Sequence, residues 1–148
     1  MSTWTNWAGN VSASPQLLAQ PSSTDEVVSL VTANRRVKAI GAGHSFTPIA
    51  QADGVQLRLN RMNRLLAADT ETGLVRVQAG MSLRDLNRRL DPLGLALPNM
   101  GDVDPQSMAG ATSTGTHGTG AQLFGIAQAI VPLQLVTADG QVIAIDQT

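Results

Sequence analysis

Of the twelve residues from Ala109 to Gly120, nine are Gly, Ser or Thr, and a histidine, His117, sits among them. The composition reads as a long loop, with Met108 before it and Leu123 to Ile126 after it as apolar anchors. Two readings stand open. A Gly/Ser/Thr stretch can be a flexible linker, and a long loop inside a compact domain is usually functional or disordered. Any fold for this chain has to place that loop.

A second loop, Gly41-Ala42-Gly43-His44-Ser45, follows the short apolar run Val37–Ile40. A Gly-x-Gly turn after a strand lets backbone N–H groups converge on an anion without side chains in the way. It is not a Rossmann-type dinucleotide fingerprint, because Phe46 replaces the expected small residue and Pro48 interrupts the helix. No Gly-Lys-Ser/Thr follows, so it is not a P-loop either. The plain alternative is a tight turn that exposes a polar histidine.

Charge placement sharpens the question. All ten Lys and Arg lie within residues 1–89, and from Leu90 onward there are five Asp and no cation. If the second half touches a phosphorylated ligand, it must use backbone N–H groups, hydroxyls or a histidine.

At 148 residues, 43% hydrophobic and 14% charged, the chain has the size and composition of one folded domain over 1–148. A net charge of −1 gives no general reason to bind nucleic acid or an anionic membrane. Zero cysteines exclude disulfides, thiolate metal sites and cysteine nucleophiles. Met1 to Asn10 shows no signal-peptide pattern. Phe124 to Val136 is broken by Gln128, Pro132 and Gln134 and is too short to span a bilayer. The expectation is a soluble, cytoplasmic protein. The histidines, 73 positions apart and without ligand spacing, predict no metal site.

Element signals predict a mixed α+β chain without a regular βαβ repeat. Ser23 and Glu26 have capping-box spacing ahead of Val27, Val28, Leu30 and Val31, with Arg35 and Arg36 near the helix end. Val37–Ile40 reads as a short buried strand, and Val55, Leu57 and Leu59 as a half-buried one. Leu65–Asp69 and Leu74–Ala79 read as two strands joined through Thr70–Gly73. Ser82 with Asp85 predicts a helix whose apolar face is Leu83, Leu86 and Leu90, closed by Pro92 and Gly94. Val131–Thr137 and Val142–Ile145 flank Asp139-Gly140, a strong hairpin signal. No internal repeat and no interdomain linker is visible.

Two further constellations are weaker. Ala111 to Gly115 faintly resembles a nucleophile elbow, but it lacks the strand-to-helix context and a downstream acid–histidine pair. Asp102 and Asp104 form a possible carboxylate pair, although neighbouring loop aspartates are more often solvated turn formers.

Four motifs taken together resemble the FAD-binding domain of the vanillyl-alcohol oxidase superfamily. They are Gly41–Ser45, Asn60-Arg61-Met62-Asn63-Arg64-Leu65, Leu97-Pro98-Asn99-Met100-Gly101 and Thr114–Gly120. Within that superfamily the likeness is to the sugar-1,4-lactone oxidases, with alditol oxidases next, and it runs from Asn6-Trp7 through nearly the whole chain.

The resemblance implies an FAD-binding domain of the PCMH type, in which two small α/β subdomains cradle FAD. Gly41, Ala42, Gly43, His44 and Ser45 would wrap the FAD diphosphate. Ser107, Gly110, Thr114, Gly115, Thr116 and His117 would line the other side, with Gly101 and Asp102 near the flavin. His44 matches the position that many members bond covalently to the flavin 8α-methyl group. Asp102 departs from the serine of alditol oxidases, and Gly101-Asp102-Val103 suits the lactone oxidases better. Such enzymes oxidise a sugar lactone or polyol by hydride transfer to flavin, with oxygen as a common acceptor. Family members run to several hundred residues, so the chain is expected to be an N-terminal fragment, its catalytic and substrate-binding residues lying further on. The alternatives are an alditol or other carbohydrate oxidase and, for the isolated fragment, a non-catalytic FAD-binding module.

Overall fold

The first structured segment is a pair of two-residue strands, β1 (Trp4–Thr5) and β2 (Ser12–Ala13), antiparallel across a turn. The computed structural model describes residues 3–146. The expectations for the chain's ends, at Met1, Ser2, Gln147 and Thr148, lie outside the described residues. The chain divides into two compact units, Met1–Arg61 with Val131–Thr148 and Met62–Ile130.

In the first unit, β3 (Leu17–Ala19) leads into helix α1 (Thr24–Ala33), then β4 (Val37–Ile40) and β5 (Val55–Arg58). The three strands form a parallel sheet in the order β3-β5-β4. β3, α1 and β4 thus make one β-α-β crossover, which the expectation of no such repeat did not include. Three residues between Pro15 and Pro21 are too few to show a period. Ala19, Val55 and Leu57 pack under Val27, Leu30 and Val31 of α1, while Ile40 packs with Trp4 and Ala13.

β5 differs from the expected half-buried strand. As the central strand it is covered on both faces, and Gln56 is as buried as its apolar neighbours. The Gln56 amide donates to the Ala50 carbonyl at 2.8 Å, which offsets part of the cost of burying it. β4 is an edge strand, and only Ile40 of its four residues is buried. The "buried strand" expectation therefore holds for that residue alone.

α1 starts where its cap signal lies. Ser23 Oγ accepts the Glu26 N–H at 3.2 Å, and the Glu26 carboxylate reaches back to the Ser22 N–H at 2.7 Å. That bond holds the Glu26 carboxyl below the usual carboxylate range. Arg35 and Arg36 fall beyond the C-cap, Asn34, rather than in the last turn, and Arg36 pairs with Asp53. Ser23→Ala is expected to cost about 1 kcal/mol, measured by urea denaturation.

The second unit holds an antiparallel pair, β6 (Leu65–Ala68) and β7 (Val75–Val77), and helices α2 (Leu83–Leu90) and α3 (Met108–Ser113). Asp69 closes the hairpin turn by accepting from the N–H groups of Glu71 and Thr72. Ser82 caps α2 through the Asp85 N–H, and Leu83, Leu86 and Leu90 are its buried residues, as their spacing predicts. A 3₁₀ turn over Asp91–Leu93 ends at Gly94.

α3 corrects the expected loop, because the first half of Ala109–Gly120 is helical. Ser107 caps it by accepting the Gly110 N–H at 3.2 Å. Ala111 is fully buried with Leu83 and Ile126. Tertiary burial overrides the poor helix propensity of Gly, Ser and Thr.

The chain returns to the first unit as a hairpin of β8 (Leu133–Val136) and β9 (Val142–Ile145). Its Asp139-Gly140 turn lies against Val28 and Thr32 of α1. Among the described residues no helix is long and apolar enough to cross a membrane.

Candidate cofactor site

The parallel sheet delivers Gly41–Ser45 at the C-terminal end of β4. What fixes the loop is a turn near the chain start. The Trp7 N–H donates to the Gly43 carbonyl at 2.9 Å, Asn6 Nδ2 to the Ser45 carbonyl at 2.9 Å, and Asn10 Nδ2 to the Phe46 carbonyl at 3.0 Å. Asn6 is itself buried and also bonds Asn10 and the Val11 N–H. With these carbonyls occupied, the N–H groups of Ala42, Gly43, His44 and Ser45 have no partner among the described residues.

Gly43 has φ +75°, and a Cβ there would lie 3.4 Å from the Trp4 ring and 3.5 Å from the Asn6 backbone. Glycine is therefore required by conformation. His44 stacks on Trp7, ring centroids 5.1 Å apart and planes 20° from parallel, and Phe46 meets the same indole edge-on at 6.5 Å.

In the second unit, Ser107 and Gly110 spend their side-chain oxygen and N–H on the α3 cap. Thr114 Oγ1 donates to the Gly110 carbonyl at 2.8 Å, and Gly115 turns the chain at φ +65°. Thr116 Oγ1 accepts from Gln106 Nε2 at 3.1 Å, while Gln106 Oε1 is buried without a partner among the described residues. His117 is exposed, with Nδ1 2.9 Å from the Gly118 carbonyl. The N–H groups of His117, Gly118 and Thr119 have no partner among the described residues.

Gly101 lies beside this segment, where a Cβ would come 3.2 Å from the His117 carbonyl and 3.6 Å from the Thr116 methyl. It is not among the glycines with positive φ, so space rather than backbone conformation is what its hydrogen keeps. Asp102 is exposed. Asp104 does not pair with it but accepts three bonds from the Arg84 guanidinium at 2.8–3.1 Å, which hold its carboxyl below the usual range. Among the described residues no group of three or more His, Asp or Glu could hold a metal.

The Asn6–Asn10 clamp escaped sequence reasoning, which marked Asn6-Trp7 only as the start of a likeness. Its partners are 36 and 39 positions away, and a short polar turn carries no periodicity to flag it. The donor set fits a dinucleotide. In Ala42–Ser45, unpartnered backbone N–H groups and a glycine at positive φ, without a lysine, suit the diphosphate of such a ligand.

L-Gulono-1,4-lactone dehydrogenase of Mycobacterium tuberculosis (strain ATCC 25618 / H37Rv) is 43% identical over 148 residues, covering 97% of this chain and 35% of that protein. L-Gulonolactone oxidase of Scyliorhinus torazame is 40% identical, covering 97% of this chain and 33% of that protein. The chain thus spans about a third of the length of the curated relatives it matches. The glucooligosaccharide oxidase of Acremonium strictum, from work on the functional roles of its 6-S-cysteinyl, 8α-N1-histidyl FAD, superposes with a TM-score of 0.84 at 24% identity. That match covers 96% of this chain and 31% of that one. The FAD binding domain family matches over residues 15–146, and the fold is that of the vanillyl-alcohol oxidase flavoproteins. A chain whose Ala42–Ser45 loop ties its carbonyls inward and leaves its N–H groups without a partner among the described residues therefore belongs to the FAD binding domain family.

Proposed function

We propose that the intact protein oxidises a sugar-1,4-lactone at a hydroxyl-bearing carbon, with oxygen as final electron acceptor. The observation that carries this is the 43% and 40% identity, across nearly the whole chain, to a gulonolactone dehydrogenase and a gulonolactone oxidase. Bound FAD supplies the hydride acceptor. The chain's own residues bind and orient it. The N–H groups of Ala42 to Ser45 hold the diphosphate. Thr114, Gly115, Thr116 and His117 are further cofactor-binding residues on this reading.

His44 offers a nitrogen to the 8α-methyl carbon. Bound FAD would supply the 8α-methyl carbon and the route by which two electrons reach oxygen, and His44 would supply the nucleophilic nitrogen and give up its N–H proton. His44 makes no side-chain hydrogen bond among the described residues, so neither nitrogen is already spent.

Gly101 keeps open the space that a methyl group would fill. In the full-length protein, Gly101→Ala is expected to slow reoxidation by oxygen about tenfold, roughly 1.4 kcal/mol of barrier. Anaerobic flavin reduction should stay largely intact. Stopped-flow measurement of the two half-reactions checks this, and unchanged oxygen reactivity contradicts it.

The relative at 43% identity bears the name dehydrogenase, which favours a second reading with a different acceptor. Oxygen uptake and dye reduction, measured with L-gulono-1,4-lactone, D-arabinono-1,4-lactone and xylitol, separate the readings. Lactone-dependent oxygen uptake supports the proposal. Dye reduction without oxygen uptake favours the dehydrogenase, and turnover of xylitol alone overturns the lactone assignment.

A further inference from the structure

Two tryptophans stand three residues apart near the chain start, and they do different work. Trp4 is 5% exposed and belongs to the core with Ala13 and Ile40. Trp7 is 68% exposed, so burial does not account for an indole at that position. Its ring contacts are His44, stacked at 5.1 Å and 20°, and Phe46, edge-on at 6.5 Å. Phe46 is itself 65% exposed. Three rings thus gather on the loop whose amides lack partners, and the rest of that loop is held by backbone carbonyls alone.

From this geometry, and resting on the reading of His44 above, we infer that Trp7 is a positioning residue that sets the plane of the His44 imidazole for bonding to the cofactor. The argument lies in how a stack differs from a hydrogen bond. A hydrogen bond that orients an imidazole consumes one of its nitrogens as donor or acceptor. A stack acts on the ring face, perpendicular to the plane in which the nitrogen lone pair lies. Trp7 therefore restricts the ring while both nitrogens stay free, and offset aromatic pairs are attractive at this separation. The Trp7 backbone is tied to the same loop, because its main-chain N–H donates to the carbonyl of Gly43, the residue before His44. Stack and backbone bond together tie one residue to both the ring and the main chain of the loop. That backbone bond survives any substitution of the side chain.

Orientation is a kinetic quantity in a bond-forming step. Losing it should slow attachment by about ten- to hundredfold, the scale of an angström-sized misplacement, without weakening FAD binding by the amides. The test uses full-length apoprotein from a riboflavin-starved host, as wild type, Trp7→Ala, Trp7→Leu and Trp7→Phe. FAD is added, aliquots are denatured in acid over time, and protein-bound flavin is counted by fluorescence. Reversible FAD affinity is measured separately, in a His44→Ala background that cannot form the bond. The expected result is slow attachment in Trp7→Ala and Trp7→Leu, recovery in Trp7→Phe, and an unchanged dissociation constant. A nuclear magnetic resonance spectrum of the apoprotein gives a readout free of cofactor. The His44 ring protons should carry an upfield ring-current shift that Trp7→Ala removes.

Wild-type attachment with an equal rate in Trp7→Ala overturns the role of Trp7 alone. A matching loss of FAD affinity would make Trp7 a structural residue and overturns it too. A wild-type protein that never forms the bond overturns the reading of His44, and the positioning role falls with it.

Discussion

His44→Ala should leave a protein that binds FAD and loses all of it on acid denaturation, whereas the wild type keeps its flavin with the polypeptide. The expectation follows from what each part of the loop contributes. On the proposed reading diphosphate binding uses the N–H groups of Ala42 to Ser45, and a change of side chain at position 44 leaves that donor in place. The nitrogen nucleophile disappears, and with it the ring that stacks on Trp7. The backbone clamp is untouched, because the Asn6, Trp7 and Asn10 bonds end on carbonyls of Gly43, Ser45 and Phe46. The effect on retention is therefore all or none, while reversible affinity should change by less than about tenfold, roughly 1.4 kcal/mol. A denaturing gel read by flavin fluorescence measures the first quantity, and equilibrium dialysis the second. Fluorescence in the His44→Ala band would remove His44 from the chemistry.

Gly118→Ala is expected to produce the largest loss of stability among single changes in either loop. A Cβ at that position would collide with the Met100 carbonyl oxygen and with Asn99 Oδ1. Both approaches are far inside van der Waals contact. The Met100 obstacle is backbone and cannot rotate away, and Asn99 is held by its own bond to the Phe124 carbonyl at 3.1 Å. Two segments must therefore separate. Overpacking of this kind typically costs up to about 3 kcal/mol, near a 10 °C fall in Tm for a domain of this size. The same displacement would carry Gly101 and His117 apart, since they are neighbours across this contact. Thermal denaturation followed by circular dichroism checks the prediction, and an unchanged Tm contradicts the close approach.

The elements legible in the sequence were those whose stabilisation is local or periodic. α2 announced itself through Ser82, Asp85 and the Leu83, Leu86, Leu90 face, and the β8–β9 hairpin through Asp139-Gly140. Elements that depend on distant partners were not legible. β3 is three residues long and exists because β5 pairs with it. Gln56 reads as a solvent-facing residue, yet the central position of β5 in a parallel sheet buries it. α3 is made of residues that favour loops, and it stands because Ala111 is buried and Ser107 caps it.

The same division runs through the site. Gly41, Gly43 and the Gly/Ser/Thr run were visible because a backbone that approaches a ligand needs small residues. The groups that aim those backbones were not visible. Asn6 and Asn10 act on carbonyls more than thirty positions away, and Gln106 acts on Thr116 from the segment before α3. The role of Gly101 also needed coordinates, because only its φ separates a demand for space from a demand for backbone conformation.

The central claim is that Ala42 to Ser45 hold FAD through N–H groups that the protein itself leaves unpartnered. Hydrogen–deuterium exchange of the full-length protein reads those groups directly, with and without added FAD, using His44→Ala so that binding stays reversible. The account predicts fast exchange across Ala42–Ser45 in the free protein and strong protection once FAD is bound. Peptides from the Leu83, Leu86 and Leu90 core should be protected in both states. Protection of the loop without FAD, or equal exchange with and without it, would contradict the claim.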